Sequence, residues 1–335
     1  MDSSHSKPGS RRGFLKKLGV AGVVMAGCGK VLASAAHLAD AKMRSVASGT
    51  ALKNGADDWV TQVEALIQDK ELTTAEKMIE SKLATTPRDP ALITLLAQVR
   101  FDQRRYKETL QLVRTADSIA GPTAKGETLR GLVAVVHNRL DLAEPTFREA
   151  IRLDPKYGYA HYYLARLLFT QNHIEEAIEE SNAAIAAAPD LVRAYENLGL
   201  CYEAKQEFAE AKKWYLEAIH REEMGGRKTE WPSLDLATML IRTERIDEAK
   251  PYLLDALKLN PSNAESRFQM AIILEKSGDL QGALQELRQT VSLDPSKGGA
   301  HYRAARIYQQ LGNKAAADQE FQEFKRISEA QHKPN

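Results

Sequence analysis

The chain has 335 residues, 43% of them hydrophobic and 27% charged, the balance of a folded, water-soluble protein with room for two or three ordinary domains or one array of short repeats. The formal net charge of +1 hides an asymmetry: residues 1–35 carry six basic side chains and one acid, so residues 36–335 stand at −4, which excludes the clustered positive field that nucleic acid requires. With only two cysteines, Cys28 and Cys201, a disulfide framework and a cysteine-cluster metal site are excluded too.

Residues 10–16 read Ser10-Arg11-Arg12-Gly13-Phe14-Leu15-Lys16, and an apolar run follows from Leu18 to Gly27. That run is shorter than the ~20 residues needed to span a bilayer. The paired arginines, the Phe-Leu pair and the apolar run, in that order, resemble a twin-arginine export signal. The resemblance implies an extracytoplasmic location, in the periplasm or cell envelope, with Arg11, Arg12, Phe14 and Leu15 as the export determinant. Two endings fit. Ala33-Ser34-Ala35 suits cleavage to a soluble protein starting near Ala36. Met25-Ala26-Gly27-Cys28 resembles a lipoprotein box, in which Cys28 would receive lipid. Membrane association is expected only through the signal or such a lipid. Residues 36–55, with Ser48-Gly49-Thr50 and Asn54-Gly55, read as a linker.

From there a period of 34 governs the chain. Pro87 to Pro155 is two periods; Pro155 to Pro189 and Pro261 to Pro295 are one each. Only Pro189 to Pro261 breaks the count, by four residues, and the excess is expected in the loop Gly225-Gly226-Arg227-Lys228-Thr229. Within each period, large and small residues recur at fixed positions. Residues 192–225 carry Tyr195, Leu198, Gly199, Tyr202, Ala211, Tyr215 and Ala218, departing only at Glu223, where a proline is expected. Residues 158–191 carry His161, Leu164, Ala165, Ala177, Ala184 and Pro189, with Ser181 in place of a large residue. These patterns resemble the tetratricopeptide repeat, and the resemblance covers eight units: 56–89, 90–123, 124–157, 158–191, 192–225, 230–263, 264–297 and 298–331.

The resemblance implies an all-α, right-handed superhelical solenoid of about eight helix–turn–helix units. Positions 4, 7, 8 and 11 share one face of a first helix, and positions 20, 24 and 27 the matching face of the second. Small residues at 8 and 20 let backbones cross closely, and the proline stops each unit. One hairpin cannot bury its apolar face alone; stacked neighbours can.

Motifs for catalysis are lacking. The sequence has no phosphate-binding glycine loop and no His-Glu-x-x-His pair, and no cofactor or metal is expected. His161 and His301 both fall at position 4, a packing slot, and Cys201 reads as a buried, inert thiol. Glu175-Glu176 and Glu179-Glu180 read as the solvated face of a second helix. In the family, first helices line a concave groove with positions 2, 5, 9, 12 and 13 inward. In this chain those slots and position 6 include Tyr159, Tyr162, Arg166, Phe169, Arg193, Glu196, Asn197, Trp231, Phe268, Tyr302 and Arg306. Aromatic rings and arginines are the side chains enriched at protein-binding hot spots. The lysine–asparagine clamp of chaperone-tail binders is absent, since Val60, Thr94 and Thr128 stand where its first lysine would. The expected function is therefore an extracytoplasmic scaffold that binds a protein or peptide partner. The alternatives are an assembly or hitchhiking subunit of a cofactor-containing redox complex and, at the margin, an enzyme.

Overall fold

The structure, a computed structural model, describes residues 55–226 and 228–332. The export motif, Cys28 and all of the expected linker except Gly55 lie outside them. The described residues form sixteen helices and no strand, an all-α solenoid of helix hairpins. The chain divides into two compact units between Asn197 and Leu198, inside the ninth helix.

Unit 1 holds α1 (Gly55–Gln68), α2 (Leu72–Thr85), α3 (Pro90–Asp102), α4 (Tyr106–Ala120), α5 (Ala124–Val136), α6 (Leu140–Leu153), α7 (Gly158–Thr170), α8 (Ile174–Ala187) and the start of α9 (Val192–Ala204). Its odd-numbered first helices also touch each other, α3 on α5 and α5 on α7. The core nearest the amino-terminal end joins Val63, Ile67, Ala75, Ile79, Leu92 and Val99, all buried. In unit 2, the rest of α9 leads to α10 (Phe208–Gly225), α11 (Trp231–Arg242), α12 (Ile246–Leu259), α13 (Ala264–Lys276), α14 (Leu280–Leu293), α15 (Gly298–Gln310) and α16 (Lys314–His332). Its largest core cluster centres on Tyr215, Leu236, Leu240 and Leu253.

One backbone device repeats through both units. Each first helix ends on a residue with positive φ: Lys70, Arg104, Asn138, Asn172, Gln206, Glu244, Gly278 and Gly312. All eight fall at position 15 of their repeat. The next residue then donates its N–H to the carbonyl five positions back, as Glu71 does to Leu66 and Asn313 to Tyr308, both at 2.9 Å. This is the Schellman closure, which satisfies carbonyls that a helix end leaves open. Glycine and asparagine take the left-handed conformation readily. Lys70, Arg104, Gln206 and Glu244 hold it against a Cβ clash worth roughly 1–2 kcal/mol.

Close helix crossing depends on two glycines at position 8. A Cβ on Gly131 would lie 2.4 Å from Cε1 of Phe147, and a Cβ on Gly199 equally close to Cε1 of Tyr215. Phe147 and Tyr215 are the large residues at position 24 and are almost wholly buried, so neither ring can withdraw. Prolines close the hairpins as the pattern predicts: Pro155, Pro261 and Pro295 each stand two residues past the end of α6, α12 and α14.

The four-residue excess is distributed differently from the sequence expectation. α10 runs for 18 residues, where α8 and α12 run for 14, so much of the excess is an added helical turn rather than loop. Gly226, with φ of 68°, ends that turn. The buried Glu222 carboxylate then accepts the Thr229 N–H at 3.1 Å and its hydroxyl at 2.6 Å, tying the short remaining loop to the helix.

Candidate functional site

Four tyrosines of unit 1 cluster at the start of α7. Tyr157 precedes α7, and Tyr159, Tyr162 and Tyr163 lie on it. Ring centroids stand 5.8 Å apart for Tyr157–Tyr159 and 5.0 Å for Tyr162–Tyr163, within the range of favourable aromatic pairs. Tyr163 also stacks on Phe147 at 6.1 Å. Tyr159 is 41% exposed, yet burial among surrounding protein, the largest influence on it, pushes its hydroxyl above the ordinary tyrosine value against the opposing charge of Arg193. Burial raises Tyr157 and Tyr163 likewise.

Two ion pairs link different hairpins of unit 1. Lys125 on α5 reaches Glu64 on α1 at 3.3 Å, spanning the intervening α3. Burial lowers the Lys125 ammonium below its ordinary value, and the Glu64 carboxylate opposes that shift. Lys70 meets Asp102 at the end of α3 at 3.3 Å, and burial raises the Asp102 carboxyl despite that partner. Arg193, at the start of α9, lies in electrostatic range of Asp102, Tyr159, Tyr162, Tyr163 and Glu196. Burial acts to lower its pKa; the surrounding tyrosine and glutamate oxygens outweigh that and raise it.

The expected groove residues separate into three groups. Tyr159, Tyr162 and Arg193 come together. Tyr162 and Arg166 are each only 8% exposed, and Tyr162 packs into a small core with Ala184, Leu191 and Ala194. Asn197 is fully buried and donates its amide to the Ser181 hydroxyl at 2.8 Å, so it serves the unit interior instead of a groove. Phe169 and Glu196 are half-buried.

In unit 2 the expected residues have neighbours from their own unit. Trp231 packs against the core. Phe268 lies under Lys297, whose ammonium is 4.7 Å from the ring centroid, and Arg303 at 5.8 Å. Lys297 pairs with Glu265, and Arg303 with Glu275. Tyr302, 42% exposed, leans on Phe321 and Phe324 at centroid distances of 6.0 and 5.4 Å. Arg306 is exposed.

Two histidines placed by sequence in packing slots have more specific partners. His161 Nδ1 lies 2.7 Å from the Glu180 carboxylate and Nε2 3.0 Å from the Pro155 carbonyl. Both partners accept, so both ring nitrogens donate and the imidazolium is the favoured form. The Glu180 hydrogen bond, the largest influence, raises the His161 pKa; burial opposes it and the Pro155 carbonyl assists. Glu180 is thus half-buried and engaged, not part of a solvated face. In unit 2, His301 Nδ1 lies 2.6 Å from the Glu320 carboxylate. Cys201 is fully buried. Among the described residues, no group of three or more His, Cys, Asp or Glu side chains could hold a metal, and no helix is long and apolar enough to cross a membrane.

Comparison with known proteins accounts for the architecture. A tetratricopeptide repeat model matches residues 128–192, 169–225, 234–297 and 268–331, more than half of the chain. The chain belongs to the tetratricopeptide repeat family. Proteins of this family mediate protein–protein interaction. The Protein CTR9 homolog of Arabidopsis thaliana is 21% identical over 272 residues, 69% of this chain; the chain spans about a quarter of that relative, 25% of its length. Among solved structures, the APC/C hetero-tetramer Cut9–Hcn1 superposes with a TM-score of 0.68 at 16% identity, over 82% of this chain and 53% of that one. Pseudomonas aeruginosa PilF gives 0.55 at 19% identity, over 67% and 96%. At such identities these likenesses show the repeat fold alone.

Proposed function

We propose that this tetratricopeptide repeat protein is an extracytoplasmic scaffold that holds a segment of a protein partner against the inward face of its first helices, and that it is not an enzyme. The observation that carries the reading is the tyrosine–arginine surface of unit 1: Tyr159 exposed, Tyr163 and Arg193 half-buried beside it, on the helices that the repeat turns inward. Flat rings lose few rotamers on binding, and arginine both stacks on rings and pairs with anions. Affinity capture from the cell-envelope fraction tests it. The wild-type chain should retain a partner that Tyr159→Ala with Arg193→Ala loses, while the outer-face variant Glu179→Ala keeps it. Loss in the outer-face variant alone would move the binding face to the second helices. Tyr162 and Arg166 are poor probes because their burial makes any loss a question of packing.

The location rests on the sequence motif at Ser10–Lys16. Replacing Arg11 and Arg12 by Lys should strand the precursor in the cytoplasm, and unchanged export would remove the twin-arginine assignment. Cys28→Ala should release the protein from membranes if Cys28 carries lipid; equal retention by both forms would exclude it. A role as assembly subunit of an exported redox complex is the second reading, supported only by the route, which carries folded proteins.

A further inference from the structure

The buried and half-buried cations among the described residues follow a rule with two exceptions. Among the described residues, buried and half-buried lysines and arginines close on carboxylates: Arg100 on Glu76 and Glu80, Arg130 on Asp117, Lys125 on Glu64, Arg267 on Glu286, and Arg303 on Glu275. That is what the desolvation penalty of an ion demands. Arg166, 8% exposed, and Arg193, half-buried, make no ion pair and no hydrogen bond among the described residues. Both occupy inward positions of consecutive first helices, α7 and α9. Arg166 lies one turn beyond Tyr162 on α7, and Tyr162 is in turn a neighbour of Arg193.

We propose that Arg193, supported by Arg166, anchors a side-chain carboxylate of the partner, so that the tyrosine-lined face of unit 1 selects a peptide segment in which Asp or Glu stands beside an aromatic or aliphatic residue. The inference rests on the groove reading above and adds the chemistry of its occupant. The charge balance favours a single carboxylate over a phosphate or polyanion. Lys70 with Asp102 and Lys125 with Glu64 are self-neutralising, and Glu196 offsets part of the charge of the two arginines. About one positive charge remains. The body of the chain, at −4, repels a polyanion. The guanidinium fork matches a carboxylate with two parallel hydrogen bonds, and the exposed ring of Tyr159 with the half-buried Tyr163 supplies the apolar wall for the neighbouring side chain.

The test uses a displayed library of random peptides, fused so that none has a free carboxyl terminus, selected on the full chain. Binders that depend on Tyr159 should be enriched in Asp or Glu next to an aromatic or aliphatic residue. A charge-assisted hydrogen bond of this kind leads to an expected affinity loss of about tenfold or more in Arg193→Gln, with only part of it restored in Arg193→Lys, which keeps the charge and loses the fork. Binding should also weaken with added salt. Circular dichroism of each variant separates this loss from unfolding. Should the selected peptides need Tyr159 but show no acidic excess and bind Arg193→Gln within about twofold, the anion anchor is wrong and the groove stands. Peptides indifferent to Tyr159→Ala would overturn both.

Discussion

The two units place similar residue types on their first helices and use them differently. In unit 2, Phe268 is covered by Lys297 and Arg303, and each cation is paired with a glutamate. Charge and ring surface are spent within the unit. In unit 1, Tyr159 stays open, and Arg193 and Arg166 make no ion pair and no hydrogen bond among the described residues. An aromatic–arginine composition therefore does not by itself mark a binding surface. What separates the regions is whether the polar groups are already satisfied by the protein.

The largest effects should come from the close crossings that both units share. Gly131→Leu in unit 1 and Gly199→Leu in unit 2 should each destabilise by about 3 kcal/mol, because the buried rings of Phe147 and Tyr215 already fill the space. Melting followed by circular dichroism reads this; an unchanged midpoint in either would break the equivalence of the crossings. The inward cations should then part company. Arg303→Gln leaves the half-buried Glu275 without its partner and should lower stability by roughly 1 kcal/mol. Arg193→Gln breaks no ion pair and no hydrogen bond, and its stability should stay within about 0.5 kcal/mol of wild type. A large loss from Arg193→Gln would mean that the charge serves the fold.

The pH dependence sharpens the comparison further. The folded-state pKa of His161 is raised, so its contribution is fully present below the unfolded histidine value and is lost as pH rises through the higher folded value. Denaturant midpoints should therefore fall on going from about pH 6 to pH 8, and His161→Gln should flatten that fall. A slope of opposite sign would show the imidazole to be neutral in the folded state. The smallest effect is at the turns. Gln206→Gly relieves a left-handed residue at no loss of contact and should stabilise by roughly 0.5–1 kcal/mol, net of the added freedom of the unfolded chain. Destabilisation would mean that the Gln206 side chain contributes more than its backbone loses.

Much of the fold was legible because it is periodic. Prolines at 34-residue spacing and small residues opposite large rings set the helix pairs, and the family model matches the same register. The left-handed position 15 was hidden because four of its eight occupants are Lys, Arg, Gln and Glu, whose identity gives no turn signal. The extra turn of α10 was hidden because Gly225-Gly226 reads as loop, although helix ends favour glycine equally. The candidate surface was half-legible. Slot positions pick out Tyr159 and Arg193, which lie together in unit 1. The same slots hold Glu64, Asp102 and Lys125, whose residue types are not those enriched at hot spots. Whether a side chain faces solvent or its neighbours, as for Asn197 and Tyr302, depends on packing across helices that no local pattern encodes.

Tyr159 and Tyr302 offer the most direct test, because one lies in each unit and they are almost equally exposed, at 41% and 42%. Tyrosine nitration read by mass spectrometry should modify both in the free chain. With the captured partner bound, Tyr159 should be protected and Tyr302 should react as before. Protection of Tyr302 with Tyr159 unchanged would contradict the account and place the partner on unit 2.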